Sequence, residues 1–289
     1  MIKPSFEALG TPGNHSFLLR DFKEHAFSAP YHFHPEYELT FIVKGMGKRF
    51  VGSNMENYQS GDLVLLGANL PHCWKTEDAI EGEINAHSVV VQFQDNFLGE
   101  HFLSKPECLS INHLLLRSAG GLRFTNKTQE LVCDKMMTLA TENDNFKRLI
   151  SLLEILHSLA VSDSVVVLNN YTYTAQQSPE EQQRINRVFA YLVEHFRQRV
   201  SLNEAAAVAN MSPNAFCKYF KKATRKTFME MVIDYRINYA SQQLAYSNKP
   251  VSQICFDSGF SDVSHFHKLF RAKMKISPLA YRKNFRQKL

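Results

Sequence analysis

The spacing of hydrophobic residues changes part-way along this chain. Up to about residue 110, short apolar and β-branched runs alternate with glycine and proline, and eleven of the twelve glycines lie in residues 1–121. Such runs between turn residues are typical of β-strands. Their spacing favours a small barrel or a sandwich. The predicted strands are residues 37–43, 49–52, 63–66 and 88–93.

Residues 110–162 follow a different pattern, in which apolar residues recur at helical spacing. These accessory helices pack either on the barrel or on a second subunit. The last of them carries a leucine stripe that is wider than one small barrel covers, so a homodimer built on this stripe stays open beside a monomer. The stripe consists of Leu149, Leu152, Leu153, Leu156 and Leu159.

A polar segment separates this region from the rest of the chain. Residues 169–179, NNYTYTAQQSP, show no hydrophobic periodicity and end in proline. This composition predicts an interdomain linker. The sequence therefore predicts two domains: an all-β barrel domain with accessory helices at residues 1–165, a linker at 166–180, and an all-α domain at 181–289.

Charge distinguishes the two predicted domains. The whole chain has 289 residues and a formal net charge of +5, but residues 180–289 carry 19 Lys and Arg against 8 Asp and Glu. Lysine and arginine on helices often do no more than form a solvated face. Here the excess extends over a whole domain-sized segment, which favours a module that binds a polyanion such as nucleic acid.

Several classes of protein are disfavoured by composition. No run of about 18 apolar residues is present to form a membrane-spanning helix. The first residues lack the apolar core of a secretory signal. The five cysteines are scattered and odd in number, which is typical of free thiols in a reducing compartment. We therefore expect a cytoplasmic protein that does not bind membranes.

Two segments of the basic region resemble each other, residues 202–220 and 251–270. Each has a short apolar helix and then a residue that tolerates positive φ, Asn210 or Gly259. A serine N-cap and a helix with two phenylalanines four residues apart follow. The serines are Ser212 and Ser261, and the phenylalanine pairs are Phe216/Phe220 and Phe266/Phe270.

This duplicated pattern predicts two helix-turn-helix units, whose second helices can enter the DNA major groove. The stretch between them, Phe228–Tyr246, is predicted to be one long helix. At 1.5 Å per residue it spans about 28 Å. One turn of B-DNA is about 34 Å, so the two recognition helices could lie in successive major grooves.

Residues 183–286 resemble the DNA-binding domain of the AraC/XylS family of transcriptional regulators. The resemblance is carried by the helix at 184–196 and by the runs SLNEAAAVANMS, FCKYFKK, DYRINYASQQLA and VSQICFDSGFSDVSHFHKLFRAKMKISPLAYR. It implies seven helices, double-stranded DNA and RNA polymerase as partners, and more often activation than repression. It also implies base contacts from Asn214, Cys217, Lys218, Ser264, His267 and Lys268, and phosphate contacts from Lys221, Lys222, Arg271 and Lys273.

The chain departs from the family pattern at four positions. Lys218 and Lys268 stand where arginine is usual, and lysine cannot make the planar fork to guanine, so both are phosphate ligands or weaker readers of bases. Arg225 and Lys275 stand where glycine is favoured after each recognition helix. Either these residues are strained in a left-handed cap, or the helices end differently.

The predicted barrel carries the spacing His32-x-His34-x3-Glu38-x6-Gly45, and Pro71-His72 follows later. Alternate residues of a strand point to one face, so His32, His34 and Glu38 are expected on the same side. Together with His72 they form a set that suits Fe, Mn, Ni or Zn. Residues 15–95 resemble the two motifs of the cupin superfamily, the second in degenerate form with Gly67 and Asn69 in place of the usual proline and glycine.

Two functions follow from this combination. In a regulator, the cupin-like domain would sense a small molecule, often a sugar or a related metabolite, in a pocket lined by His32, His34, Glu38, His72 and Trp74. The alternative is a metal-dependent cupin enzyme, a dioxygenase or an isomerase, in which the same histidines and Glu38 hold a divalent transition metal. The duplicated helix-turn-helix and its charge favour the regulator, which is not an enzyme and needs no resident cofactor.

Overall fold

The computed structural model describes residues 5–6, 15–77, 79–169 and 179–286. The chain forms two compact units, which divide between residues 177 and 178. The predicted linker at 166–180 lies largely outside the described residues, since 170–178 are not among them. Within the described ranges, no helix is both long enough and apolar enough to cross a membrane.

The N-terminal unit contains two mainly antiparallel sheets. One has the order β1-β3-β8-β5-β6 and the other β11-β10-β7-β4-β9-β2. Neither sheet closes on itself within the described ranges, so the barrel remains a prediction. The strands are β1 Ser5–Phe6, β2 Leu18–Glu24, β3 His32–Phe33, β4 Tyr37–Lys44, β5 Gly47–Val51, β6 Asn54–Tyr58, β7 Leu63–Leu66, β8 His72–Thr76, β9 Ala86–Phe93, β10 Leu122–Phe124 and β11 Val165–Val167.

At β7 the six-stranded sheet is buried on both faces, which explains the uninterrupted apolar run of this strand. Leu63 and Leu65 point into a core shared with three helices. Val64 and Leu66 point the other way and pack with Tyr58 and other residues of the five-stranded sheet. The unit therefore has three layers: five-stranded sheet, six-stranded sheet and helices. The helices are α1 Leu109–Arg117, α2 Asn126–Thr141 and α3 Asn145–Ala160.

The leucine stripe of α3 is used inside this unit. Leu152, Leu156 and Leu159 are buried in the core between helices and sheet, and Leu149 packs against it. Of the two alternatives for these helices, packing on the sheet of the same domain therefore accounts for four of the five leucines, whereas Leu153 is half-buried outside this core. The homodimer remains a prediction, but the leucine stripe of α3 no longer supports it.

Ordered pairing continues beyond residue 165, where the first domain was predicted to end. The strand Val165–Val167 pairs antiparallel with β10. The buried Asn169 donates from its amide to the carbonyl oxygens of Val51 and Gly120, at 2.9 and 3.0 Å. These bonds hold the end of the described segment against the N-terminal unit.

The C-terminal unit consists of seven helices over residues 179–286. The long helix begins and ends where the sequence pattern predicted it. The helices are α4 Pro179–His195, α5 Leu202–Val208, α6 Pro213–Thr224, α7 Phe228–Tyr246, α8 Val251–Asp257, α9 Val263–Met274 and α10 Pro278–Arg286.

The two recognition helices, α6 and α9, end in the left-handed conformation. Arg225 follows α6 with φ of 60°, and Lys275 follows α9 with φ of 66°. Of the two alternatives for these caps, the strained left-handed cap is therefore the one that occurs. A residue with a Cβ atom loses about 1–2 kcal/mol in this conformation.

We expect the substitutions Arg225→Gly and Lys275→Gly each to stabilise the C-terminal unit by about 0.5–1 kcal/mol, since relief of the strain exceeds the added entropy of the unfolded chain. Calorimetry and far-UV circular dichroism of the full chain would measure this change in stability. Tryptophan fluorescence would not report on it, because the one tryptophan, Trp74, lies in the other unit. Lys222→Gly, inside α6, is the control and should destabilise by about 1 kcal/mol. Destabilisation by both cap variants would contradict the assignment of strain.

Candidate nucleic-acid interface and ligand pocket

The first helix-turn-helix is built from α5 and α6. Asn210 adopts φ of 54° between them. The backbone N–H of Met211 donates to the carbonyl oxygen of Ala206 at 2.9 Å, which closes the turn. The Ser212 hydroxyl accepts from the backbone N–H of Ala215 at 3.4 Å and caps α6, as predicted.

The second helix-turn-helix repeats this geometry with α8 and α9. Gly259 has φ of 88°, and a Cβ atom there would lie 2.7 Å from the carbonyl oxygen of Arg197. The N-cap of α9 is Asp262, which accepts from the backbone N–H of His265 at 2.5 Å. The prediction of Ser261 was therefore wrong. The second turn is one residue longer than the first, and a carboxylate also suits the positive end of a helix.

Aromatic side chains attach each recognition helix to the unit. Phe216 and Phe220 are fully buried, and their ring centroids lie 5.5 and 5.4 Å from that of Phe228 on α7. Phe266 and Phe270 are buried in the same way, within a cluster that includes the second half of α7. Because one face of each recognition helix is packed, the opposite face is presented to the outside.

Most of the predicted DNA-contacting residues lie on these outward faces. Residues 214, 217, 218 and 221 of α6, and 264, 267, 268 and 271 of α9, recur at i, i+3, i+4 and i+7, which places each set along one stripe. Lys222 borders the first stripe, whereas Lys273 lies on the side of α9 that contacts α7. His267 is half-buried, with its ring centroid 5.7 Å from that of Phe266. The other nine are exposed: Asn214, Cys217, Lys218, Lys221, Lys222, Ser264, Lys268, Arg271 and Lys273.

A cavity of about 210 Å³ lies in the N-terminal unit beside strands β2, β4 and β9. Its wall combines apolar side chains with polar ones. Two residues of this wall each carry a buried polar atom without a hydrogen-bond partner among the described residues, the indole Nε1 of Trp74 and the side-chain oxygen of Gln92. The polar residues of the wall include Arg20, His32, Glu38, Trp74, Ser88 and Gln92.

Glu38 is the buried charge of this pocket. It lies on β4, directly opposite Gln92 of β9 in the strand register. The Gln92 amide donates to one carboxylate oxygen at 2.8 Å, and the Thr40 hydroxyl donates to the other at 2.6 Å. The Nε2 atom of His34 lies 3.0 Å from Glu38 Oε2. Each carboxylate oxygen therefore has a donor within the protein.

The protonation of Glu38 follows from its neighbours. Burial alone raises the pKa of this carboxyl group, but the adjacent His72 and the contacts of His34 outweigh burial and hold the pKa well below its ordinary value. The pocket therefore contains a carboxylate anion at neutral pH. A depressed carboxyl pKa stabilises the fold above the ordinary pKa, and this stabilisation is lost as pH falls through the lowered value.

Three imidazoles surround this carboxylate. His32 and His72 are register partners on β3 and β8. Their Nδ1 atoms lie 2.9 and 2.8 Å from the carbonyl oxygens of Pro30 and Leu70, and Nε2 of His72 lies 3.5 Å from Glu38 Oε1. One ligand atom from each of His32, His34 and His72 falls within 4.8 Å of the others. A backbone carbonyl that orients Nδ1, as at His32 and His72, is typical of metal-binding histidines, and a cluster of three imidazoles is a donor set that divalent transition metals accept.

Comparison with known proteins bears on the C-terminal unit first. The sequence profile of a family described as "Helix-turn-helix domain" matches residues 205–284, a range that includes both turns and both recognition helices. Residues 205–284 are a helix-turn-helix domain of the AraC type. In this AraC-type domain, the two units that the sequence predicted are both present.

Curated relatives extend the likeness over the rest of the chain. The uncharacterized HTH-type transcriptional regulator YdeC of Bacillus subtilis (strain 168) is 22% identical over 258 residues, which cover 88% of this chain and 86% of YdeC. The uncharacterized HTH-type transcriptional regulator SAS0078 of Staphylococcus aureus (strain MSSA476) is 22% identical over 249 residues. That match covers 84% of this chain but spans only 31% of the staphylococcal protein.

Among solved structures, some are similar to the C-terminal unit alone and others align along most of the chain. The DNA-binding domain of AdpA, determined in complex with a target DNA, is 28% identical, with a TM-score of 0.34, and covers 35% of this chain and 91% of that domain. ToxT of Vibrio cholerae strain SCE256, determined with a bound unsaturated fatty acid, is 16% identical with a TM-score of 0.36. It covers 92% of this chain and 94% of ToxT.

Within the AraC-type domain, one predicted phosphate ligand differs from the others. Nζ of Lys273 lies 2.5 Å from Oδ1 of Asp234 on α7, so its charge is engaged inside the domain. Lys221 and Lys222, by contrast, lie exposed in the last turn of α6. The sequence offered no sign of this pairing, because the two residues are 39 positions apart.

The structure brings together all five residues predicted for the pocket. His32, Glu38 and Trp74 line the cavity, while His34 and His72 contact Glu38 from beside it. Sequence reasoning missed Thr40 and Gln92, the two residues that donate to the carboxylate. A signal was present, because Ser88 and Gln92 place polar side chains on one face of a strand that was otherwise apolar.

We expect protein purified without an affinity tag or added metal to contain well below one Fe, Mn, Ni or Zn per chain, because a sensor pocket must fill and empty. Elemental analysis measures this, with His34→Ala as the test variant and His101→Ala, an exposed histidine outside the cluster, as its control. In the metal-free case His34→Ala leaves DNA binding intact. About one ion per chain that is lost only in His34→Ala, with a lower melting temperature, would establish a metal centre instead.

Proposed function

We propose that this protein is a sequence-specific, DNA-binding transcriptional regulator whose N-terminal unit binds a small molecule. The observation that carries the proposal is the pair of recognition helices, each packed by two phenylalanines on one face and presenting polar and basic residues on the other. An arrangement of this kind needs a long, regular, anionic partner with grooves, which is double-stranded DNA.

The two helix-turn-helix units would read adjacent parts of one site. The helix α7 joins them, and its 19 residues span about 28 Å. This length is close to one turn of B-DNA, so α6 and α9 would lie in successive major grooves on one side of the duplex. The side chains proposed to read bases are Asn214, Cys217, Lys218, Ser264, His267 and Lys268.

The N-terminal cavity supports the second half of the proposal. Buried polar groups are nearly always hydrogen-bonded, so the unpartnered Trp74 donor and Gln92 acceptor in the wall call for a ligand that accepts and donates. A hydroxyl group does both, and a sugar or related metabolite carries several. The volume of about 210 Å³ suits a small molecule of this kind. A cupin-like arrangement of the two sheets is part of this proposal.

Relatives named as transcriptional regulators support the regulatory role. YdeC matches along both units rather than over the helix-turn-helix domain alone. RNA polymerase is the partner that such a regulator requires, and a homodimer is the assembly that we propose for binding extended sites. Both stand as parts of this proposal.

A metal-dependent enzyme is the second candidate, and the cluster of His32, His34 and His72 is the observation that favours it. The enzyme hypothesis, however, gives the AraC-type domain no role. The elemental analysis described above separates the two candidates, because an enzyme of this class would retain its metal.

We expect the full chain to protect its DNA site in two blocks about 10 base pairs apart on one face of the duplex, because each recognition helix enters its own major groove. Affinity should fall steeply with added salt as counterions are released from phosphates. Hydroxyl-radical footprinting on promoter fragments selected by the purified protein would measure the first, and a salt titration the second. One contiguous block, or binding insensitive to salt, would contradict reading by two units.

Variants in the same assay should separate base contacts from phosphate contacts. Asn214→Ala and His267→Ala should each cost about 1–3 kcal/mol on the selected site and little on a scrambled duplex. Lys221→Ala is the matched comparison. It should weaken binding to the selected site and to the scrambled duplex alike, and lower the slope of log affinity against log salt by about one. Equal losses on both duplexes for His267→Ala would assign His267 to backbone positioning.

We expect a hydroxylated metabolite to change the fluorescence of Trp74 saturably, because this one tryptophan lies in the cavity wall. A panel of sugars and related metabolites would be titrated into the full chain. Gln92→Met should weaken the response about tenfold, since it removes a buried hydrogen bond to the ligand. Gln94→Met, the same change at an exposed position of the neighbouring segment, should leave it unaltered. Equal affinities in the two variants would place the ligand elsewhere.

A further inference from the structure

One aspartate on α7 contacts lysines from both helix-turn-helix units. Oδ2 of Asp234 lies 2.7 Å from Nζ of Lys226, which follows α6. Oδ1 lies 2.5 Å from Nζ of Lys273, in the last turn of α9. The Asp234 side chain is only 17% exposed, whereas the lysines are 45% and 44% exposed. One carboxylate therefore joins the ends of the two recognition helices.

The position of Asp234 along α7 gives this contact its meaning. The first unit is anchored on the beginning of α7, where Phe228 packs against α6. The second unit is anchored on the other half, where Ile237, Ala240 and Leu244 share a core with α8 and α9. Asp234 lies between these two anchor points.

A second acidic residue lies one turn earlier on α7. The backbone N–H of Thr227 donates to Glu230 at 2.7 Å and is the main cause of the lowered pKa of that carboxyl group; Lys221 and Lys273 contribute further. The two lysines affect Glu230 only through their charge, so the contact that joins the two units is the one at Asp234.

The two kinds of contact restrain the units differently. Apolar packing is non-directional, so it holds each recognition helix on α7 while tolerating small rotations and shifts. Two ion pairs to separate oxygens of one carboxylate, of which the one with Lys226 is also a hydrogen bond, hold both lysines at short distances from a fixed point on α7. The low exposure of Asp234 also reduces screening by solvent and salt.

We propose that Asp234 is a positioning residue that fixes the orientation of α9 relative to α6, and through it the half-site spacing that the AraC-type domain accepts. Lys273 then acts within the domain rather than as a phosphate ligand. The part of the proposal that concerns spacing rests on the proposed DNA-binding function. The part that concerns orientation does not.

The orientation is tested without DNA. Cys217 is an exposed cysteine on α6, so spin labels at Cys217 and at Ser264→Cys would report the distance between the recognition helices in the full chain, with Cys108→Ser to remove a half-buried thiol. Asp234→Asn, which keeps the shape and removes the charge, should broaden the distance distribution measured by pulsed electron resonance. An unchanged distribution would overturn the proposal.

The control is Asp257→Asn in the same domain. Asp257 pairs with Lys249 at 3.1 Å, and both belong to the second unit and the segment before it, so this change removes an equal charge without touching a bridge between the units. It should leave the distance distribution as in the unaltered chain. Lys273→Gln should broaden the distribution like Asp234→Asn, and the double variant should add little, because both remove one interaction.

The spacing is tested on DNA with a library of half-site pairs that differ in separation. Asp234→Asn should reduce the preference for the best spacing by about threefold, the size expected of a partly exposed ion pair, while binding to a single half-site changes no more than in Asp257→Asn. An unaltered spacing profile would overturn the proposal. Failure of the unaltered chain to select any sequence would refute the proposed function instead, and the spin-label distances would still decide the role of Asp234.

Discussion

The burial of two phenylalanines four residues apart on each recognition helix is the constraint on which the DNA-binding unit depends. A helix presents residues i and i+4 on one face, so once Phe216 and Phe220 are packed against Phe228, the direction of every other side chain on α6 is determined. Phe266 and Phe270 do the same for α9. The outward stripe follows from apolar packing, and its chemistry can vary without altering the fold.

Much of this was predictable because the information is local. The phenylalanine spacing, the positive-φ residues Asn210 and Gly259, and the period of α7 each act within a few residues, and the structure confirms all three. The cap of α9 was missed because one extra residue in the second turn moves the N-cap to Asp262, which a comparison of motifs by eye does not register. The ion pair between Asp234 and Lys273 could not be predicted from the sequence, since no local pattern links residues so far apart.

The N-terminal unit was less predictable because its contacts are long-range. Strand parity predicted one shared strand face for His32, His34 and Glu38, and this was wrong, because His32 lies on β3 of the five-stranded sheet and Glu38 on β4 of the six-stranded sheet. The residues are nevertheless close, since His34 contacts Glu38 and His32 lines the same cavity. The strand β2 was missed because LLRDFKE has no clean alternation, although it forms the edge beside β9 and one wall of the cavity. The leucine stripe of α3 was correctly assigned to a helix, but whether a sheet or a second copy covers it depends on how many layers the unit builds.

The hydrogen bonds of Glu38 bear on what the pocket can hold. The contact between His34 and the carboxylate uses the Nε2 proton of the imidazole, and a metal on that nitrogen would require the proton to leave. The Thr40 and Gln92 donors already occupy the carboxylate oxygens, so a metal ligated by Glu38 would also compete with them. The proposed hydroxylated ligand would need neither change. The hydrogen bonds of Glu38 therefore favour that proposal over a metal ligated by this carboxylate.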